Sequence, residues 1–187
     1  RLFVKRIDKV HPFISGNKWY KLKYNLIAAK EKGFKTILTF GGAYSNHIAA
    51  TAFAAQEKGF KSIGIIRGEE HLPLNSTLSF VVESGMELHY VSRTDYQEKT
   101  TPDFLEKLKA QFGSFYFIPE GGTNELAIQG TAEILEANDP QDYICCAVGT
   151  GGTISGIVNS SVAKQKVLGF SAIKGSEQLE KDISTWT

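Results

Sequence analysis

The chain has 187 residues, room for one large domain or two small ones. Hydrophobic residues make up 42% and charged residues 22%, an ordinary globular mix, and a net charge of +1 gives no electrostatic case for a nucleic-acid or anionic-membrane partner. No run reaches the roughly 18 apolar residues of a membrane helix, and no charged-then-apolar leader is visible, so a cytoplasmic location is expected.

Leu2 to Ile7 reads as a short, apolar-alternating strand. Gly16 and Asn17 are turn formers, and Trp19, Leu22, Leu26 and Ala29 follow at helical spacing, so Lys18 opens a helix. Thr36 to Phe40 is β-branched and aromatic, a strand broken by Gly41-Gly42. Ile48 to Gln56 is an Ala-rich helix ending at Gly59, and Ser62 to Ile66 is a strand. Leu74 to Glu83 is a helix with Leu78, Val81 and Val82 as its apolar face, followed by a strand from Glu87 to Val91. Thr101-Pro102 is a helix-start signal, and that helix runs to about Phe112. Phe115 to Ile118 is a strand, Pro119 to Asn124 a loop, and Ala127 to Ala137 a helix. Tyr143 to Val148 is a continuous apolar strand of the kind buried on both faces. Gly149 to Thr153 is a glycine-rich loop, a small-residue helix starts at Ile154, and Val167 to Ile173 is the last strand.

This alternation predicts a parallel α/β sheet with helices on both faces. The composition shift at Pro119 to Asn124 suggests two lobes with a ligand cleft between them. The chain opens on Arg1 and closes in a polar stretch, so a fragment, or the ordered part of something longer, is one expectation. Cys145 and Cys146 are adjacent and would point to opposite faces of a strand; they read as buried small apolar residues, not a disulfide or a metal pair. His11, His47, His71 and His89 show no ligand spacing, so no metal is expected. His47 is open between a partner to Ser45 and a surface residue. Asn75-Ser76-Thr77 and Asn159-Ser160-Ser161 fit the glycosylation triplet and read as coincidence.

Three loops carry chemistry, each at the C-terminal end of a strand, the edge where open α/β sheets bind ligands. The first holds Lys18, whose ammonium form the positive end of a helix dipole disfavours. A neutral lysine can attack a carbonyl; the bland alternative is a solvated surface lysine. Lys21 shares its helix face and can pair with a phosphate as a point charge, unless both lysines are simply exposed. The second loop, Gly41 to His47, offers Ser45 and Asn46 at a helix start, where plain N-capping is the competing role. The third, Gly149-Thr150-Gly151-Gly152-Thr153, sits between strand and helix. Its N–H groups, threonine hydroxyls and helix dipole make an anion cradle, or else it is a bare connector. No lysine follows it and Ile154 stands where a third glycine would be, so it matches neither nucleotide-loop pattern.

Lysine, then Ser-Asn, then Gly-Thr-Gly-Gly-Thr, in that order, resembles the pyridoxal-phosphate enzymes of tryptophan-synthase-β-like fold. Ser15-Gly16-Asn17-Lys18, with Lys21-Leu22, is most similar to the branch of 1-aminocyclopropane-1-carboxylate deaminase and D-cysteine desulfhydrase. The resemblance implies a two-lobed, three-layer parallel-sheet fold. Residues 1–20 and 118–187 would be the larger, cofactor-binding lobe and 21–117 a smaller mobile one. It implies pyridoxal 5'-phosphate as cofactor. Lys18 would bond its aldehyde, Lys21 with Gly149, Thr150, Gly151, Gly152 and Thr153 would hold its phosphate, Asn46 would bond the ring 3-hydroxyl, and Ser45, catalytic with Lys18, would sit beside the ring and touch the substrate carboxylate or act in proton transfer. It further implies a deaminase or lyase converting a small amino acid to a 2-oxo acid and ammonia, a homodimer, and a family chain that extends further at the C-terminus. Ser15 stands where the deaminase pattern has glycine, and His47 where it has glutamine, which leaves the choice of amino acid open. The rival readings are a β-replacement enzyme of the O-acetylserine sulfhydrylase type and a non-catalytic phosphate-binding module.

Overall fold

The computed structural model describes residues 1–136, 138–172 and 177–187. The chain forms two compact units, Leu26–Gly121 and Arg1–Asn25 with Gly122–Thr187. The division falls inside helix α1 (Asn17–Glu31).

The unit Leu26–Gly121 is a three-layer α/β sandwich. Its strands are β1 (Thr36–Gly41), β2 (Lys61–Arg67), β3 (Met86–Val91) and β4 (Tyr116–Ile118). They form one parallel sheet in the order β3-β2-β1-β4. Alternate side chains serve opposite faces, as the strand period of two requires. Leu38, Phe40, Ile63 and Ile65 point to one side, where they meet Tyr96, Leu108 and Phe115 with Phe104 and Phe112 of α4 (Pro102–Phe112). Ile66 and Met86 point to the other, against Ile48 and Ala52 of α2 (Asn46–Lys58) and Leu78 and Val81 of α3 (Ser76–Glu83). Side chains cap all three helices. Ser45 accepts from Ile48 N, Asn75 from Leu78 N and Thr101 from Phe104 N, so the backbone donors left over at each start are partly satisfied.

The second unit is built on a shorter ladder. Strands β5 (Tyr143–Val148) and β6 (Lys166–Ser171) pair in parallel, from Tyr143 opposite Lys166 to Val148 opposite Ser171. Helices α5 (Glu125–Thr131), α6 (Gly152–Ser160) and α7 (Glu177–Ser184) complete it. Asn124 caps α5, and the Thr131 hydroxyl of α5 donates to the Gly152 carbonyl of α6 at 2.9 Å.

Four expectations are corrected or trimmed. Leu2 to Ile7 is not a strand: residues 1–6 have no regular structure, Ile7–Lys9 is a single 3-10 turn, and Leu2 is 94% exposed. Alternation gives a strand only where another strand offers a ladder, and here the segment is held instead by Lys5 to Glu136 (3.1 Å) and Asp139 (2.7 Å). β5 is not buried on both faces. Tyr143 and Cys145, with Leu168 and Phe170 of β6, lie exposed on one side, and Cys146 is half-buried, so neither cysteine is a core residue. The expected helix from Ala127 begins earlier, at Glu125, and relaxes to a 3-10 turn over Ala132–Ile134; its expected end, residue 137, lies outside the described residues. Ile173, the expected end of the last strand, also lies outside them, and β6 stops at Ser171.

Candidate functional site

In the unit that holds β5 and β6, Asn17, Lys18 and Lys21 line one cavity together with Ala147 to Gly151, Thr153 and Ile154. The helical spacing of three puts both lysines on the cavity side of α1. The glycine-rich loop reaches the same cavity because it leaves the C-terminal end of β5 and turns into α6. The cavity holds about 150 Å³, against roughly 300 Å³ or more for an ordinary ligand cleft, so it suits a phosphate-sized group.

Lys21 is 1% exposed. Its Nζ donates to Thr123 Oγ1 at 2.9 Å and Thr150 Oγ1 at 3.3 Å, and those two oxygens lie 2.6 Å apart. Asn17 Nδ2 donates to Thr153 Oγ1 at 2.7 Å, tying the first turn of α1 to the first turn of α6. Behind them Asn25 and Asn124 exchange amide hydrogen bonds at 3.1 and 2.8 Å, which fixes the residue next to Thr123.

Burial lowers the amine of Lys18 from its ordinary 10.5 to about 8. Burial lowers Lys21 further, to about 7, with the nearby charge of Lys18 adding to the effect. Dehydration and like charge both disfavour the ammonium form. An anion placed between the two amines would reverse both trends, because it neutralises the repulsion and replaces lost hydration.

The start of α6 is shaped for such an anion. Among the described residues, Ser45, Asn75, Thr101 and Asn124 each cap a helix with their side chains, whereas α6 begins at Gly151 with no side-chain cap. Its first N–H groups and the positive end of its dipole are therefore left for a ligand. Gly151 sits at φ +82°, a backbone region that L side chains rarely adopt. A Cβ on Gly152 would lie 2.8 Å from Thr123 Cγ2 and 3.2 Å from Lys21 Nζ, so only glycine lets the loop come this close to the buried lysine. A phosphate on a carbonyl-bearing ring fits this donor set: buried amines, hydroxyls and bare backbone N–H groups.

Ser45 and Asn46 belong to the other unit. Ser45 is the N-cap of α2, its Oγ accepting from Ile48 N at 3.2 Å, and Asn46 is the first residue of that helix. His47 is not a surface residue: it is 2% exposed, with Nε2 2.8 Å from Thr39 Oγ1. The Thr39 hydroxyl donates its single proton to the Ile118 carbonyl at 2.8 Å, so His47 Nε2–H is the donor to Thr39.

Sequence reasoning missed Asn17 as a wall of the lysine cavity and Thr123 as a hydrogen-bond partner of Lys21. Asn17 stood inside the motif but read as a turn former. Thr123 lay in a loop noted only for its composition, and no local pattern shows that it folds back on a helix 102 residues away. Among the described residues, no group of three or more His, Cys, Asp or Glu side chains could hold a metal ion. No described helix is long and apolar enough to cross a membrane.

Comparison with known proteins places the chain by family and by fold. Residues 1–182 match the family model described as pyridoxal-phosphate dependent enzyme. A Thermotoga maritima protein named as a putative 1-aminocyclopropane-1-carboxylate deaminase is 38% identical over 83% of this chain and 52% of its own length. An Arabidopsis thaliana mitochondrial protein named as a bifunctional D-cysteine desulfhydrase and 1-aminocyclopropane-1-carboxylate deaminase is 33% identical over 91% of this chain and 48% of its own. A solved ACC deaminase homologue superposes with a TM-score of 0.79 at 26% identity, covering 97% of this chain and 58% of that one. The chain thus spans about half the length of the relatives it matches. With a family match along nearly its whole length and the three-layer α/β architecture that the motifs imply, this chain belongs to the pyridoxal-phosphate dependent enzymes.

Proposed function

We propose that the protein is a pyridoxal-phosphate-dependent deaminase or desulfhydrase, acting on a small amino acid such as 1-aminocyclopropane-1-carboxylate or D-cysteine to give a 2-oxo acid and ammonia. The observation that carries this reading is the buried amine of Lys21 beside the half-buried, partly dehydrated amine of Lys18, set against an uncapped helix start in one cavity. Structural ammonium groups seldom tolerate such burial, whereas a lysine tuned toward neutrality can serve as nucleophile and base.

The roles divide between the two lysines. Lys18 Nζ, partly neutral near pH 8, would hold the cofactor through its aldehyde, and as the free amine it would move a proton at the substrate carbon. Lys21 stays one turn behind it as the counter-charge to the phosphate, with Thr150, Thr153 and the N–H groups of Gly149, Gly151 and Gly152 completing the grip. Thr123 orients the Lys21 ammonium, since its hydroxyl accepts from Nζ. When bound, the cofactor supplies an electron sink for charge that develops on the substrate carbon. Asn46 would bond the ring 3-hydroxyl, and Ser45, whose oxygen already accepts from Ile48 N, would keep its hydroxyl proton to donate to a substrate carboxylate. When the leaving group is sulfur, sulfide accompanies the 2-oxo acid. The same reading expects the lobe of residues 21–117 to close over substrate, the protein to pair as a homodimer, and the reaction to run in the cytoplasm.

The test is spectroscopic and then chemical. Protein reconstituted with pyridoxal phosphate gains a visible absorbance band, and Lys18→Ala gains none and loses turnover by about 10²- to 10⁴-fold, the scale of losing an acid–base group. Wild-type protein is then screened against D-cysteine, L-cysteine, D-serine and 1-aminocyclopropane-1-carboxylate, with and without an added thiol. Ammonia release without the thiol supports the deaminase, and product formed only with the thiol identifies a β-replacement enzyme. A wild-type protein that stays colourless with the cofactor would overturn the enzymatic reading.

A further inference from the structure

Asn75 heads the triplet that resembles a glycosylation site, and the structure gives its amide two tasks. Its Oδ1 accepts from Leu78 N at 3.0 Å as the cap of α3. Its Nδ2 donates to the carbonyl of Ala43 at 3.1 Å. Ala43 lies in the turn between β1 and α2, which Ser45 N closes by donating to the Gly42 carbonyl at 3.0 Å. Ser45 then caps α2 through Ile48 N. The same join is reinforced by apolar contact, because Ala43 packs against the cluster of Ile48, Leu78 and Val81. One side chain therefore links the turn presenting Ser45 and Asn46 to the start of a helix 32 residues further on.

Capping alone does not call for asparagine. Aspartate and serine cap a helix about as well, since the cap needs only an acceptor oxygen. Aspartate offers no donor, and serine has a single oxygen to serve both directions. The amide places an acceptor and a donor on two separate atoms of one plane, which two partners on different elements require.

We infer that Asn75 is a positioning residue that holds the turn from Gly42 to Ser45, and with it Ser45 and Asn46, in the conformation the reaction uses. The catalytic half of this statement rests on the proposed function; the mechanical half rests on the two hydrogen bonds alone.

Asn75→Asp separates capping from holding. It keeps the acceptor for Leu78 N, removes the donor to Ala43 and sets a carboxylate oxygen against that carbonyl. In full-length protein, amide hydrogen exchange followed by NMR at Ser45 and Ile48 is expected to speed by about two- to tenfold, the size of one lost hydrogen bond of ordinary net strength. The Ser79 amide, which donates to the Asn75 carbonyl, keeps its wild-type rate because α3 stays capped. In the cofactor-loaded protein, kcat/KM falls by at least the same factor while the visible band persists. Asn75→Ala, which removes both bonds, speeds exchange at Ser79 as well. Wild-type exchange at Ser45 and Ile48 in Asn75→Asp would reduce Asn75 to a cap and overturn the inference, as would faster exchange there with unchanged kcat/KM. If wild-type protein binds no cofactor while Asn75→Asp still loosens the turn, the functional reading fails and the mechanical link stands.

Discussion

Two parallel ladders in this chain carry much the same kind of sequence and meet different fates. In β1 every residue after the first is buried, and in β2 all but the two ends. In β5 alternate side chains lie exposed, with Tyr143 at 59%, and in β6 Phe170 is 60% exposed. The apolar run Tyr143 to Val148 reads no less like a core strand than Thr36 to Phe40 does. The difference lies in what covers them: α2 and α3 on one face of the four-stranded sheet and α4 on the other, against a two-stranded ladder that the described residues leave open on one face. Hydrophobic pattern reports what a strand could bury, and the number of layers decides what it does bury.

Truncations should expose this contrast. Leu38→Ala, at the centre of β1 and fully buried, is expected to destabilise the protein by about 2–5 kcal/mol, read as a lower denaturant midpoint. A loss near zero would mean that the four-stranded core can refill the space. The pH response probes the other unit. Lys18 and Lys21 have folded-state pKa values near 8 and 7, below the ordinary 10.5, so between about pH 7 and 10.5 the unfolded chain binds more protons than the folded one. Stability of the cofactor-free protein should therefore rise with pH across that window, and Lys21→Met should flatten the rise. A profile that falls there would contradict the burial of the two amines. The smallest effect is expected from Leu168→Ala on the open face of β6, within about 0.5 kcal/mol by the same midpoint measurement. A cost close to that of Leu38→Ala would show that this face is covered in solution.

Much of the architecture was legible because strand and helix periods alternate cleanly and capping residues sit where helices begin. Thr101-Pro102 opens α4 as read, and Gly59 ends α2 in the left-handed conformation that glycine favours. The N-terminal strand was not legible, since residues 2–7 have the composition of a strand but no ladder to join. At the site, spacing put Lys18 and Lys21 on one helix face, and only the family resemblance joined them to Gly149 to Thr153; all of these but Gly152 line one cavity. Thr123, which accepts from Lys21 Nζ, was hidden, because a hydroxyl in a loop acquires meaning only when the fold delivers it to an amine. His47, left open between a Ser45 partner and a surface position, is buried against Thr39 of the strand before it.

The central claim is that one particular amine, Lys18 and not its neighbour Lys21, takes the cofactor. Protein loaded with pyridoxal phosphate, reduced with borohydride and digested should yield a single peptide whose added pyridoxyl-phosphate mass maps to Lys18. Label found on Lys21 or on another lysine, or no label at all, would contradict the account.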